Sequence, residues 1–158
     1  MSVVLPLVCL CTARSALKAT AGNDGYLCTS ADCIHSTPDG QFKIHNGIPV
    51  LISTDLCDTV CDSVGDQKYV ERPFSRYVGL KKLIIGESKV TKENCKKFIS
   101  ELMSKNIRPK VLIIGSGEQG AGTSELWNNT HIEIHGIDIY GSTTVDAICD
   151  AHYLPLES

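Results

Sequence analysis

The chain has 158 residues, 42% of them hydrophobic and 21% charged, an ordinary balance for a globular protein and room for one domain, or a small one joined to a partial one. Its net charge of −3, with no basic run or stripe, excludes a nucleic-acid footprint built on charge. No apolar run reaches the length of a membrane span, and Val3 to Val8 has no preceding Lys or Arg and no small residue before Cys9, so we expect a cytoplasmic protein without a membrane anchor.

The first element is a cysteine-rich module over residues 1–54. Of eight cysteines, Cys9, Cys11, Cys28 and Cys33 crowd its start, Cys57 and Cys61 follow, and Cys95 and Cys149 stand alone inside apolar patterns. Without an export signal such thiols point to metal or to core positions rather than to disulfides. Turn-forming stretches (Ala21 to Gly25, Thr37 to Gly40) separate short strand-like pieces at Phe42 to His45 and Ile48 to Ile52, with Asn46-Gly47 as a hairpin signal between them. So few apolar residues need a staple, and a metal is the obvious one. Zinc takes four thiolate or imidazole ligands, usually as two close pairs on separate turns. Cys9/Cys11 and Cys28/Cys33 supply two pairs, although one residue lies inside the first and four inside the second. His35, Cys57 or Cys61 is the substitute for any one of them.

Residues 55–90 read as a linker, broken at Glu71-Arg72-Pro73, with one short helix near Tyr77 to Ile85. From Thr91, a candidate N-cap, the residues Cys95, Phe98, Ile99, Leu102 and Met103 carry the spacing of an amphipathic helix that Asn106 and Pro109 end. Val111 to Ile114 is a continuous apolar run, as in a strand buried on both faces. A glycine turn follows, then a helix around Ser124 to Trp127. A second strand carries Ile132, Ile134 and Ile137 and ends at Asp138, and a third, short one spans Val145 to Cys149. The order is that of an α/β fold.

Gly115-Ser116-Gly117-Glu118-Gln119-Gly120 fits G-x-G-x-x-G between a strand and a helix. Glycines permit a tight turn there, and a helix N-terminus offers unpaired N–H groups and a positive dipole end. Asp138 closes the next strand about twenty residues on, where a carboxylate accepts hydrogen bonds from ribose hydroxyls. Together they predict a site for an adenosine-type cofactor. A nicotinamide oxidoreductase shares these features.

Two resemblances go further. The cysteine pairs followed by Phe42-Lys43-Ile44-His45-Asn46-Gly47-Ile48-Pro49-Val50-Leu51 resemble the zinc-ribbon family of methyltransferase activators, also found at the N-terminus of bacterial methyltransferases. The stretch from Val145 to Pro155, with the glycine loop and Asp138, resembles class I S-adenosylmethionine-dependent methyltransferases of the type 11 kind. That resemblance implies a Rossmann-like sheet preceded by a small zinc-ribbon-like β module, the cofactor-binding domain covering residues 91–158. It implies that Gly115, Ser116, Gly117 and Gly120 cradle the methionine end of S-adenosyl-L-methionine, that Asp138 holds the ribose with Ile139 beside it in the cofactor site, and that Asp150 and Ala151 meet the adenine, with zinc on the four cysteines. His152 reads as a surface loop residue, and no general base can be named.

By the same resemblance the chain stops before the fourth strand, so we expect a truncated front half with an uncovered edge on the first strand. A protein partner or a second copy would cover that edge. The acceptor, a small molecule or a cell-surface precursor, would be chosen by the missing half. The alternative is a zinc-binding docking or activator module for a partner methyltransferase, without catalysis of its own.

Overall fold

A computed structural model describes residues 6–52 and 89–156. The expected helix at 77–85, most of the expected linker, and Cys57 and Cys61 lie outside these residues.

The N-terminal part is built from hairpins. β1 (Leu17–Ala19) and β2 (Gly25–Cys28) run antiparallel, Leu17 facing Cys28. Two 3-10 turns, Ile34–Ser36 and Pro38–Gly40, lead into β3 (Phe42–His45), which pairs with β2. Asn46 and Gly47 then adopt φ of 50° and 82°, the pair of left-handed residues a two-residue type I′ turn requires, and β4 (Ile48–Leu51) returns beside β3 with His45 opposite Ile48. The hairpin expected from Asn-Gly is present.

α1 (Lys89–Lys105) lays Cys95, Ile99, Leu102 and Met103 against the sheet. Two expectations change here. Thr91 is a helical residue rather than the N-cap, because the helix already begins at Lys89. Its Cβ packs beneath the later glycine loop, where a Cβ placed on Gly122 would come within 3.1 Å of it. Phe98 sits at the rim of the apolar stripe and is 45% exposed.

The remaining elements alternate: β5 (Lys110–Ile114), the one-turn helix α2 (Ser124–Trp127), β6 (Glu133–Asp138) and β7 (Ala147–Cys149). β5, β6, β7 and β4 are parallel neighbours, and the whole is a seven-stranded mixed sheet in the order β1-β2-β3-β4-β7-β6-β5. β7 is thus central, held by β6 on one side and by β4 of the cysteine-rich part on the other.

Among the described residues β5 is one of the two outer strands of this sheet, β1 being the other. That position overturns the expectation of a strand buried on both faces: its residues are half-buried, and Ile114 is 53% exposed. With one neighbour among the described residues, β5 lacks the flanking side chains that would cover it.

Side chains alternate across the strands, so the sheet has two distinct faces. On one, Leu51, Ile137, Ala147 and Cys149 pack with Phe42 and with Cys9, Cys28 and Cys33. On the other, α1 covers Val111, Ile113 and Ile134, while Val145 and Ile148 pack with Ile48, Val50 and Ile52. No helix among the described residues is long and apolar enough to cross a membrane.

Candidate metal centre and ligand cleft

Cys9, Cys11, Cys28 and Cys33 converge, with all four sulfurs within 4.8 Å of one another. Sγ of Cys9 lies 3.6 Å from that of Cys33, and Sγ of Cys11 lies 3.8 Å from that of Cys28. Zinc–thiolate bonds of about 2.3 Å in a tetrahedron give sulfur–sulfur edges of about 3.8 Å. The donor set therefore fits a tetrahedral metal ion such as zinc, and the distances are too long for disulfides.

Local turns explain how the irregular spacing works. In the first pair, Cys9 N–H donates to Ser15 O (2.8 Å) and Arg14 N–H to Cys11 O (2.9 Å), closing a knuckle in which Arg14 takes a left-handed φ of 47°. In the second, Cys33 N–H donates to Ser30 O, and this turn takes up three of the four intervening residues, Thr29 bonding back to Ala16 O. Backbone N–H groups of Ser30 and His35 point at the sulfurs of Cys28 and Cys33, both at 3.4 Å. Such donors stabilise thiolate charge. His35 is engaged elsewhere: its Nδ1 lies 2.7 Å from Gly40 O and its ring stacks on Phe42.

The thiols are unequal. Burial pushes Cys9 and Cys28 above the usual thiol value. For Cys11, burial is outweighed by hydrogen bonds from the Ser15 backbone and from the neighbouring thiols, and its pKa falls to about 7.

A second feature lies at the carboxyl ends of β5, β6 and β7. Gly115, Asp138, Ile139, Asp150 and Ala151 line a cleft of about 290 Å³, five of the eight residues expected to hold a cofactor. Ile114, Ile137, Cys149 and His152 complete its wall. Ser116, Gly117 and Gly120 are not among the lining residues, and their roles differ.

The glycine loop turns inward. Gly115 adopts φ of 77°, a left-handed turn suited to glycine. Its N–H and that of Ser116 both donate to Ile137 O, at 2.8 and 3.0 Å. Gly117 N–H donates to Oδ2 of Asp138 at 2.7 Å, and a Cβ on Gly117 would strike that same oxygen. Three consecutive N–H groups are therefore committed to β6. α2 is a single turn starting at Ser124, too short for the aligned peptide dipoles of a longer helix. Instead of the unpaired N–H groups and dipole end expected at a helix N-terminus, the loop presents N–H groups bonded to β6 ahead of a single helical turn.

Asp138 also accepts Tyr140 N–H at 3.0 Å. Each of its oxygens keeps a second lone-pair direction, so the carboxylate can still accept hydroxyl donors. Asp150 is 8% exposed, and its Oδ1 meets both His152 N–H (2.9 Å) and His152 Nδ1 (2.8 Å). His152 itself is an exposed loop residue, as expected. Cys149, expected as a core thiol, is 2% exposed and also forms part of the cleft wall. Burial first, then the nearby Asp150 and Asp138 charges, pushes its pKa up to about 12.

Three structural residues escaped the sequence reading. Gly122, at φ of 85°, lets the loop pass over the start of α1. Gly136 lies so close to Thr144 O and Ser116 Oγ that a Cβ there would overlap both. Thr144 Oγ1 donates to Ser116 O at 2.5 Å and ties the β6–β7 connection to the glycine loop. A glycine in mid-strand two residues before Asp138 was the available signal of close backbone approach. A larger hollow of about 410 Å³, between the β3–β4 hairpin and residues 141–145, contains none of the expected site residues.

Searches against protein-family models, curated proteins and solved structures each return no match.

Proposed function

We propose that this chain is the S-adenosylmethionine-binding front half of a class I methyltransferase, with a structural zinc on Cys9, Cys11, Cys28 and Cys33. The observation that carries the reading is convergence. The glycine turn, the acid closing β6 and the Asp150-Ala151 pair come from three separate stretches of sequence and line one cleft. Ligands of open α/β sheets bind outside the carboxyl ends of strands, which is where this cleft lies.

In this reading Gly115 borders the methionine end, Asp138 accepts from the ribose hydroxyls, and Asp150 with the Ala151 backbone meets the adenine. The inward-turned loop favours it over a nicotinamide oxidoreductase. A pyrophosphate calls for free N–H groups, and those of Gly115, Ser116 and Gly117 are taken. When bound, the cofactor would supply an electrophilic methyl group, and the protein's task is to align an acceptor with it. The acceptor would be a small molecule or a cell-surface precursor.

One observation favours the non-catalytic alternative, a zinc-binding docking module for a partner methyltransferase: β5 has an open edge among the described residues. Titration calorimetry with S-adenosylhomocysteine, with zinc quantified on the same sample, separates the two. Saturable binding, weakened about tenfold or more in Asp138→Ala through loss of charge-assisted hydrogen bonds, is expected. Absence of binding by folded, zinc-loaded protein would overturn the cofactor reading and leave the docking module.

A further inference from the structure

The metal knuckle and the segment that leaves the cleft are tied together by one side chain and by the backbone beside Cys9. Arg14 closes the turn that carries Cys11, and its Nη2 donates to two backbone carbonyls far along the chain, Leu154 O at 2.7 Å and Leu156 O at 2.6 Å. Beside it, Val8 N–H donates to Pro155 O at 2.9 Å, and Leu7 bridges Leu156. Residues 150–152 at the head of this gripped segment form one wall of the cleft.

The backbone of Arg14 points the same way. Its φ of 47° is left-handed, a conformation that glycine adopts without steric cost and that a long side chain disfavours. A residue kept against its backbone preference is a motive to look for what the side chain does. Here it makes charge-assisted bonds that glycine could not supply.

We infer that Arg14 is a positioning residue coupling the metal centre to the cleft, so that metal occupancy sets the order of residues 150–156, the first three of which form the cleft wall. A metal on the four sulfurs fixes the Cys11 knuckle. The fixed knuckle aims the guanidinium at the Leu154 and Leu156 carbonyls, and that anchor holds the loop leaving β7. The coupling is reciprocal: a ligand that orders the wall tightens the metal site by the same factor. The inference rests on the metal part of the proposed reading and not on its cofactor.

Amide hydrogen exchange on the full chain tests it, without any cofactor present. Stripping zinc with a chelator should speed exchange across residues 152–156 by about tenfold, the loss of the anchoring hydrogen bonds. Arg14→Gly relieves the backbone and leaves every cysteine in place. It should retain one zinc per chain, accelerate exchange over the same residues, and leave peptides around Cys28 to Cys33 and α1 protected. Unchanged exchange at 152–156 on zinc removal overturns the coupling. So does zinc-loaded Arg14→Gly that is protected at 152–156 like the unsubstituted chain, or that exchanges faster over α1 as much as over 152–156. Failure of S-adenosylhomocysteine to bind would leave these readings unaffected, so the two proposals fall separately.

Discussion

Gly117 and Gly120 occupy equivalent-looking places in one motif, yet their surroundings differ. A methyl group on Gly117 would meet Oδ2 of Asp138 at 2.7 Å and push apart the bond that fixes the loop. On Gly120 it would meet only the Thr123 side chain, Cγ2 at an ordinary 3.5 Å and Oγ1 at 3.8 Å. Gly117→Ala should therefore destabilise the fold by about 1–3 kcal/mol, the scale of a lost buried hydrogen bond to a charged group, while Gly120→Ala stays within about 0.5 kcal/mol. Thermal denaturation of the pair checks the ranking, and equal melting temperatures would refute it. Cys149 gives a pH test. Its folded pKa of about 12 lies above the usual 9.0, so the unfolded chain loses this proton first. The stabilising contribution is complete below pH 9.0 and is lost as pH rises toward 12, at about 1.4 kcal/mol per pH unit for one group. Cys149→Ala should flatten the alkaline fall in stability relative to the unsubstituted chain, and parallel curves would count against the buried-thiol assignment.

Individual elements differed in how openly the sequence declared them. The β3–β4 hairpin was legible because Asn46-Gly47 requires the backbone it adopts, and the stripe of Cys95, Ile99, Leu102 and Met103 because helical period survives any context. The apolar run alone did not disclose that β5 lies at an edge among the described residues, since it is the same string whether or not a neighbour covers it; the expectation of an uncovered edge came from the resemblance instead. Nor did local pattern disclose that the loop N–H groups turn toward β6, a fact set by Ile137 O and Asp138 across the sheet. The four cysteines were readable as ligands by type, but their irregular gaps made sense only with the Ser30–Cys33 turn in view. At this scale one zinc per chain is expected, and Cys28→Ser with Cys33→Ser should abolish it. Metal analysis finding none in the unsubstituted protein would refute the centre. Affinity should fall as pH is lowered, because zinc displaces the protons that burial keeps on Cys9 and Cys28.

For the molecule as a whole, the decisive contact is the parallel pairing of β4 with β7, Val50 beside Ile148 and Leu51 beside Cys149. It merges the cysteine-rich part and the β5-β6-β7 unit into one sheet, and sulfurs of the metal centre pack in the same core as Ile137 and Cys149. Zinc removal should consequently lower the melting temperature of the whole sheet in a single calorimetric transition. Two separate transitions, only one of them zinc-dependent, would show the parts to be independent.

The same pairing has a consequence for the time course of folding. The four ligands all fall within the first 33 residues, whereas β4 and β7 are about a hundred residues apart in the chain. Short loops close fast and distant pairings slowly. During synthesis the metal site can thus form while β7 is still to come, leaving β4 as a fixed template on which β7 docks. The cleft, whose wall follows β7, would take shape after the cysteine cluster.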